Sequence, residues 1–212
     1  LPFSGIDELA EKLVWPSERE AIVPGVSYLG QGRADVMRGE EVQLLGGVAA
    51  GTVANDGLVC HPGTHNKWAL PPHEIIHTFG TVMTGELFSL LKEHSILADL
   101  LKGPVDANQA FREGVRFGLD RDMLPAALFG VRAGVLLGQR RKEDAASYVS
   151  GLLIGTDVRI GLTWPLSTRI AIMGRKELTS LYAVAIEVAV ELVGLRVGRV
   201  DDAHAVLTVD QL

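Results

Sequence analysis

From Leu58 to Leu70 the chain carries two short apolar runs, Leu58-Val59-Cys60 and Trp68-Ala69-Leu70, on either side of His61-Pro62-Gly63-Thr64-His65-Asn66-Lys67. Pro62-Gly63 is a turn signal, so the segment is expected to be a tight hairpin between two strands. Glycine lets a ligand approach the backbone closely, and peptide N–H groups around such a turn can form an anion-binding concavity. Thr64 adds a hydroxyl and Lys67 a cation. That combination suits phosphate, with a plain surface hairpin as the competing reading.

Two further groups have the residue types for chemistry. Arg38-Gly39-Glu40-Glu41 precedes an amphipathic run, and Thr84-Gly85-Glu86 precedes another. Acidic residues in a first helical turn complement the helix dipole, and this is the ordinary reading of both groups. His73-Glu74-Ile75-Ile76-His77 matches a zinc-protease pattern letter for letter, but that chemistry needs both histidines on one helical face. Pro71-Pro72 and the β-formers Ile75, Ile76, Thr78 and Phe79 predict a strand instead. In a strand the two rings stand about 13 Å apart, at roughly 3.3 Å per residue, and cannot share a metal. His61 and His65 alone make a poor zinc site, and His94 reads as a structural residue at a helix end. Cys60, in an apolar run, reads as a small buried hydrophobe.

The elements that must position these groups follow from periodicity. Residues 6–14 have helical spacing, 21–26 run as a strand into a turn, and 38–50 return to a helix. Strands are expected at 57–61, 67–70 and 74–83 as an antiparallel meander. Thr84 is placed to cap the next helix, and Asp106 to open another. Helical pattern continues through Leu128 and from Glu143 to Leu162. A strand at 169–173, a turn at Gly174, a helix from Leu178 to Val193 and a strand at 195–200 complete a mixed α/β layout. The second half of its sheet is expected to be parallel.

The 212 residues suffice for one large domain or two small ones. Hydrophobic residues make up 47% and charged residues 22%, an ordinary globular composition. The formal net charge is −6 and the basic residues are scattered, which argues against a nucleic-acid surface. An anionic substrate would therefore need a locally positive site. One cysteine permits no intramolecular disulfide and fits a reducing, cytoplasmic compartment. No apolar run has the length of a membrane helix, and Leu1-Pro2-Phe3-Ser4 does not open a signal peptide.

Taken together, several segments resemble the 2-dehydro-3-deoxygalactonokinase family, sugar-acid kinases of the actin-like, hexokinase-like ATPase superfamily. They are Pro24-Gly25-Val26, residues 36–46, Pro62 to Trp68, Thr81 to Phe88, His94 to Leu97, Ser150 to Gly155, and the strand leading through Gly174 to Leu178 and Tyr182. The resemblance implies two lobes, each ribonuclease-H-like, with ATP between them. Residues 42–212 would be the second lobe, in β-β-β-α-β-α-β order, with a helical insertion around 84–140. Residues 1–41 would be the C-terminal part of the first lobe. No Asp-Gly-Thr-like first phosphate loop occurs in residues 1–40, so the chain as it stands is expected to lack most of that lobe and to be inactive by itself.

The implied activity is ATP-dependent phosphorylation of 2-dehydro-3-deoxy-D-galactonate to its 6-phosphate. A kinase for another sugar acid, or a non-catalytic module on a degenerate kinase lobe, is the alternative. Gly63, Thr64, His65 and Lys67 would contact phosphates, and Gly174 and Leu178 would close over adenosine. Glu40 or Glu41 would take the proton of the sugar hydroxyl, with Glu40 preferred. Arg38 would grip a carboxylate in bidentate fashion. Glu86 would orient substrate or a magnesium-bound water. The implied partners are Mg2+ with ATP and a small sugar acid, with no nucleic acid and no membrane; a homodimer is left open.

Overall fold

The computed structural model describes residues 10–30, 32–54, 57–70, 76–164, 169–192, 196–201 and 205–210. Residues 6–9 of the helical pattern at 6–14, and the His73 end of the zinc-protease pattern, lie outside them; Ala10 and Glu11 are helical, but Val14 already begins a strand. Two hairpins open the described chain: β1 (Val14–Ser17) with β2 (Glu20–Ile22), and β3 (Val26–Gly30) with β4 (Arg33–Met37). Helix α1 (Glu40–Ala49) follows, then the meander β5 (Leu58–His61), β6 (Asn66–Leu70) and β7 (Thr78–Val82). Four helices come next, α2 (Thr84–His94), α3 (Gln109–Asp120), α4 (Leu124–Leu136) and α5 (Ala145–Gly161). The chain then forms β8 (Arg169–Ile172), α6 (Lys176–Leu192), β9 (Arg196–Asp201) and β10 (Ala205–Asp210).

The central sheet has the order β7-β6-β5-β8-β10-β9. β5, β6 and β7 pair antiparallel, and β8 lies parallel to β5, as the pattern predicts. The expected parallel continuation does not occur. β10 takes the place beside β8 and runs antiparallel to it, and β9 is the edge strand. Val206, Thr208 and Val209 favour a strand, and a short β9–β10 connection can join only antiparallel neighbours.

Side-chain alternation along the strands splits the core around the sheet in two, and a third cluster, with Leu97, Leu101, Val131 and Val149, lies among the helices. Leu58, Cys60, Ile170 and Ile172 face α3, α5 and α6, where Phe111, Val115, Ile154, Val158 and Ile186 meet them. Val59, Ala69, Phe79 and Ala171 face the other way, onto Leu44, Leu45 and Val48 of α1 and onto Val26 and Met37 of the β3–β4 hairpin. Strands β5 and β8 are thus buried on both faces, which explains why Leu58-Val59-Cys60 and Ile170-Ala171-Ile172 read as unbroken apolar runs.

Helices α3 and α5 touch backbone to backbone. A methyl group on Gly114, Gly118, Gly151 or Gly155 would run into main-chain atoms of the facing helix. This contact draws α5 down onto Trp68 and β6, where Asp157 enters the site described below. Gly151→Ala is expected to destabilise the fold by about 1–3 kcal/mol through overpacking, read as a lower urea midpoint with an unchanged slope.

Candidate functional site

The hairpin predicted around Pro62-Gly63 is present: Cys60 pairs with Trp68 and His61 with Lys67, leaving residues 62–65 as its loop. The start of α2 is packed onto that loop. The Glu86 amide donates to the Thr64 carbonyl at 2.9 Å, and a side chain on Gly85 would collide with the Gly63 carbonyl. Glu86 also meets His65, with Oε2 2.5 Å from Nε2. On the other flank His61 Nε2 lies 2.6 Å from Gln43 Oε1, which ties the end of β5 to α1.

The turn after β8 closes against the same loop. The Met173 amide donates to the Cys60 carbonyl at 2.9 Å. Gly174 has φ 146°, a conformation that side chains disfavour. A Cβ there would lie 3.2 Å from the Pro62 carbonyl oxygen, so glycine serves both the turn and the close approach. A cavity of about 250 Å³ opens between hairpin, α2, α5 and α6. Gly63, Thr64 and Gly85 line one side; Phe88, Leu178 and Tyr182 supply apolar and aromatic surface; Arg175 adds a cation. Of the residues the resemblance implied, Gly63, Thr64 and Leu178 line this cavity, and Gly174 lies at the turn against Pro62. Pattern reasoning did not identify Phe88, Arg175 or Tyr182, whose types are unremarkable for a helix or turn.

Lys67 is placed elsewhere. Its ammonium is buried and donates to the Val36 carbonyl at 2.7 Å and to Thr81 Oγ1 at 2.6 Å. Alternation along β6 turns it to the face opposite Trp68, toward the β3–β4 hairpin, so it does not serve the loop. Asp35 extends that strut by accepting from the Thr81 amide and hydroxyl. Arg33 braces it further, with its guanidinium 4.8 Å from the Tyr28 ring and 5.0 Å from the Trp164 ring.

The two glutamates of α1 differ sharply. Glu41 is fully buried; one oxygen accepts from the Gly39 amide at 2.7 Å and the other has no hydrogen-bond partner. Glu40 is half-buried and accepts from the Arg38 amide at 3.1 Å. Arg38 itself is exposed.

Asp157, on α5, is the residue that pattern reasoning missed. It is the single charge between Ala145 and Val158, and that isolation in an apolar helix was the available signal. It is fully buried and takes hydrogen bonds from four side chains. Asn66 Nδ2 donates at 2.9 and 3.0 Å, Trp68 Nε1 at 2.7 Å, Thr84 Oγ1 at 2.5 Å, and the Tyr182 hydroxyl also donates. Burial pushes the carboxyl above its ordinary range, and these donors pull it back. Thr84 therefore does not cap α2 as its position suggests; its hydroxyl is spent on Asp157 and the N-cap is Met83, without a side-chain bond. Cys60 is buried as expected, and burial raises its thiol well above the usual range. Ile76 and His77 lie in no helix and lead directly into β7. Among the described residues no cluster of three or more His, Cys, Asp or Glu could hold a metal, and no helix is long and apolar enough to cross a membrane.

The family model for 2-keto-3-deoxy-galactonokinase matches residues 2–208. The chain belongs to that family. It is 38% identical over 150 residues to the 2-dehydro-3-deoxygalactonokinase of Escherichia coli (strain K12), a match covering 71% of this chain and 50% of that protein. A Rhizobium meliloti (strain 1021) relative, provisionally assigned the same name, is 37% identical over 190 residues, covering 87% of this chain and 60% of its own. A crystal structure of a Sinorhizobium meliloti protein, also provisionally so assigned, superposes with a TM-score of 0.78 at 34% identity, over 87% of this chain and 64% of that one. The chain thus spans about half to two thirds of the length of its family relatives.

His61 offers a pH test of the hairpin's packing. Burial lowers its pKa from the ordinary 6.5, with Glu40 partly opposing the shift. As pH falls, the unfolded chain takes up the proton first, so this stability is complete above the ordinary value and lost as pH falls through the native one. Between about pH 7.5 and about pH 5.5 the wild-type urea midpoint should fall more steeply than that of His61→Gln. Parallel curves would remove His61 as the titrating group.

Proposed function

We propose that the protein carrying this chain is an ATP-dependent kinase that phosphorylates 2-dehydro-3-deoxygalactonate on its 6-hydroxyl. The observation that carries the proposal is the cavity joining the Gly63–Thr64 loop to the start of α6, within a chain of this family. Its apolar and aromatic wall suits a nucleoside, while the loop and Arg175 suit phosphates. The β5–β6–β7 meander with β8 parallel to β5 is the arrangement expected of a second ribonuclease-H-like lobe. On this reading residues 1–41 belong to the first lobe and 42–212 to the second, with the helices around 84–140 inserted. The β3–β4 hairpin, which shares a core with Leu44 and Phe79, is then where the lobes meet. The reaction is assigned to the cytoplasm, in keeping with a single buried cysteine.

Phosphoryl transfer asks for in-line positioning, neutralisation of the transferred group and an acceptor for the hydroxyl proton. Glu40 is the better base, because Glu41 is buried and holds the Gly39 amide. Arg38, exposed beside it, is assigned to the substrate carboxylate. Gly63 and Thr64 at the cavity wall hold phosphate, and Leu178 lies against the base or ribose. Magnesium would enter with the nucleotide, since such ions rest largely on phosphates and water with one or two carboxylates. Glu86, half-exposed beside the loop, is the carboxylate placed to meet its hydration shell. Bound there, the ion would neutralise phosphate charge.

Glu40→Gln in the complete protein should lower kcat roughly 10²- to 10⁴-fold, the span of general-base contributions. Glu41→Gln should chiefly lower thermal stability. Turnover would be followed by coupling ADP release to NADH oxidation. Near-normal kcat in Glu40→Gln would sink the base assignment, and ATP binding without transfer to any sugar acid would leave a nucleotide-binding module.

A further inference from the structure

The cavity's walls come from distant parts of the chain, yet three of its contributing elements converge on one buried group. Asn66 follows the loop on β6, Thr84 opens α2, and Tyr182 stands on α6; each donates to Asp157. Thr84 and Tyr182 also line the cavity, whereas Asp157, Asn66 and Trp68 do not. Every partner of the carboxylate is a donor, so its oxygens are fully used as acceptors. An ionised group so deep in a core is costly unless paired, and among the described residues no cation pairs it. Trp68, Tyr182 and Cys60 fill the rest of this space, and a well-packed apolar side chain would stabilise the fold more simply.

We propose that Asp157 is a positioning residue for the nucleotide, fixing the loop, the start of α2 and Tyr182 relative to one another so that the cavity is formed before ATP arrives. This rests on the kinase reading above. Asp157 touches no ligand itself. Its effect runs through the placement of Thr84 and Tyr182, and through Asn66 to the loop at Gly63 and Thr64. Because ordering cost then falls on folding rather than on binding, loosening the network should weaken nucleotide binding selectively.

The experiment measures ATP binding by calorimetry, and KM for ATP and for the sugar acid separately, in the complete protein. Asp157→Asn keeps the shape but replaces one accepting oxygen by a donor. Trp68→Phe removes a donor outside the cavity. In each, Kd and KM for ATP should rise roughly 10- to 150-fold, the effect of about one charged hydrogen bond, while KM for the sugar acid stays within twofold. The Trp68 indole N–H resonance should move in Asp157→Asn. If Asp157→Asn does not fold, Trp68→Phe and Tyr182→Phe decide the matter. Lower melting temperatures with unchanged ATP affinity, or equal rises in both KM values, would overturn the proposal and leave Asp157 a structural residue. Wild-type protein that binds no ATP would overturn the nucleotide reading, and this inference with it.

Discussion

A carboxylate buried without a counter-ion constrains its surroundings far more than an apolar side chain would. Asp157 must find donors for its oxygens, and it finds four, drawn from β6, α2 and α6. Those donors can satisfy it only if the hairpin, the start of α2 and the middle of α6 hold one arrangement. The close approach of α3 and α5 through their facing glycines sets the depth at which Asp157 enters. Packing thus brings the group in, and hydrogen bonding then dictates what surrounds it.

The cavity is lined by two of these donors, Thr84 and Tyr182. Its loop lies between two helix starts, with α1 approached through Gln43 and His61, and α2 through Glu86 and His65. An acid on one flank and an apolar slot on the other is a sensible division for a phosphoryl-transfer site. On the reading proposed above, the acid would face the attacking hydroxyl while the nucleoside stays out of water. The buried Lys67–Thr81–Asp35 strut works at longer range by holding β4, and therefore the Arg38–Glu41 segment, against the sheet.

Much of this was legible in the chain itself. The meander, the helix after Arg38, the strand–glycine–helix unit at 169–192 and the turn at Pro62-Gly63 all carry strong local signals. Each fell within a few residues of its observed limits. The C-terminal strand order was not legible, because β-propensity says that Ala205–Asp210 pairs, not with which neighbour. Thr84 shows the same limit at one residue. Its position before an amphipathic run predicts a cap, but a buried carboxylate from α5 makes a stronger claim on its hydroxyl.

Lys67 and Asp157 mark the boundary between the two kinds of information. By itself the sequence determined the meander, the helix after Arg38, the strand–glycine–helix unit, the phosphate-friendly turn and the family resemblance, because periodicity and turn chemistry act over a few neighbouring residues. Only the tertiary structure decided that Lys67 braces a hairpin rather than serving the loop, that Glu40 is accessible and Glu41 is not, and that Asp157 lies behind the cavity. The contacts that hold Lys67 and Asp157 span 14 to 91 residues of chain, where burial and the donors at hand, rather than residue type, assign each polar group its task.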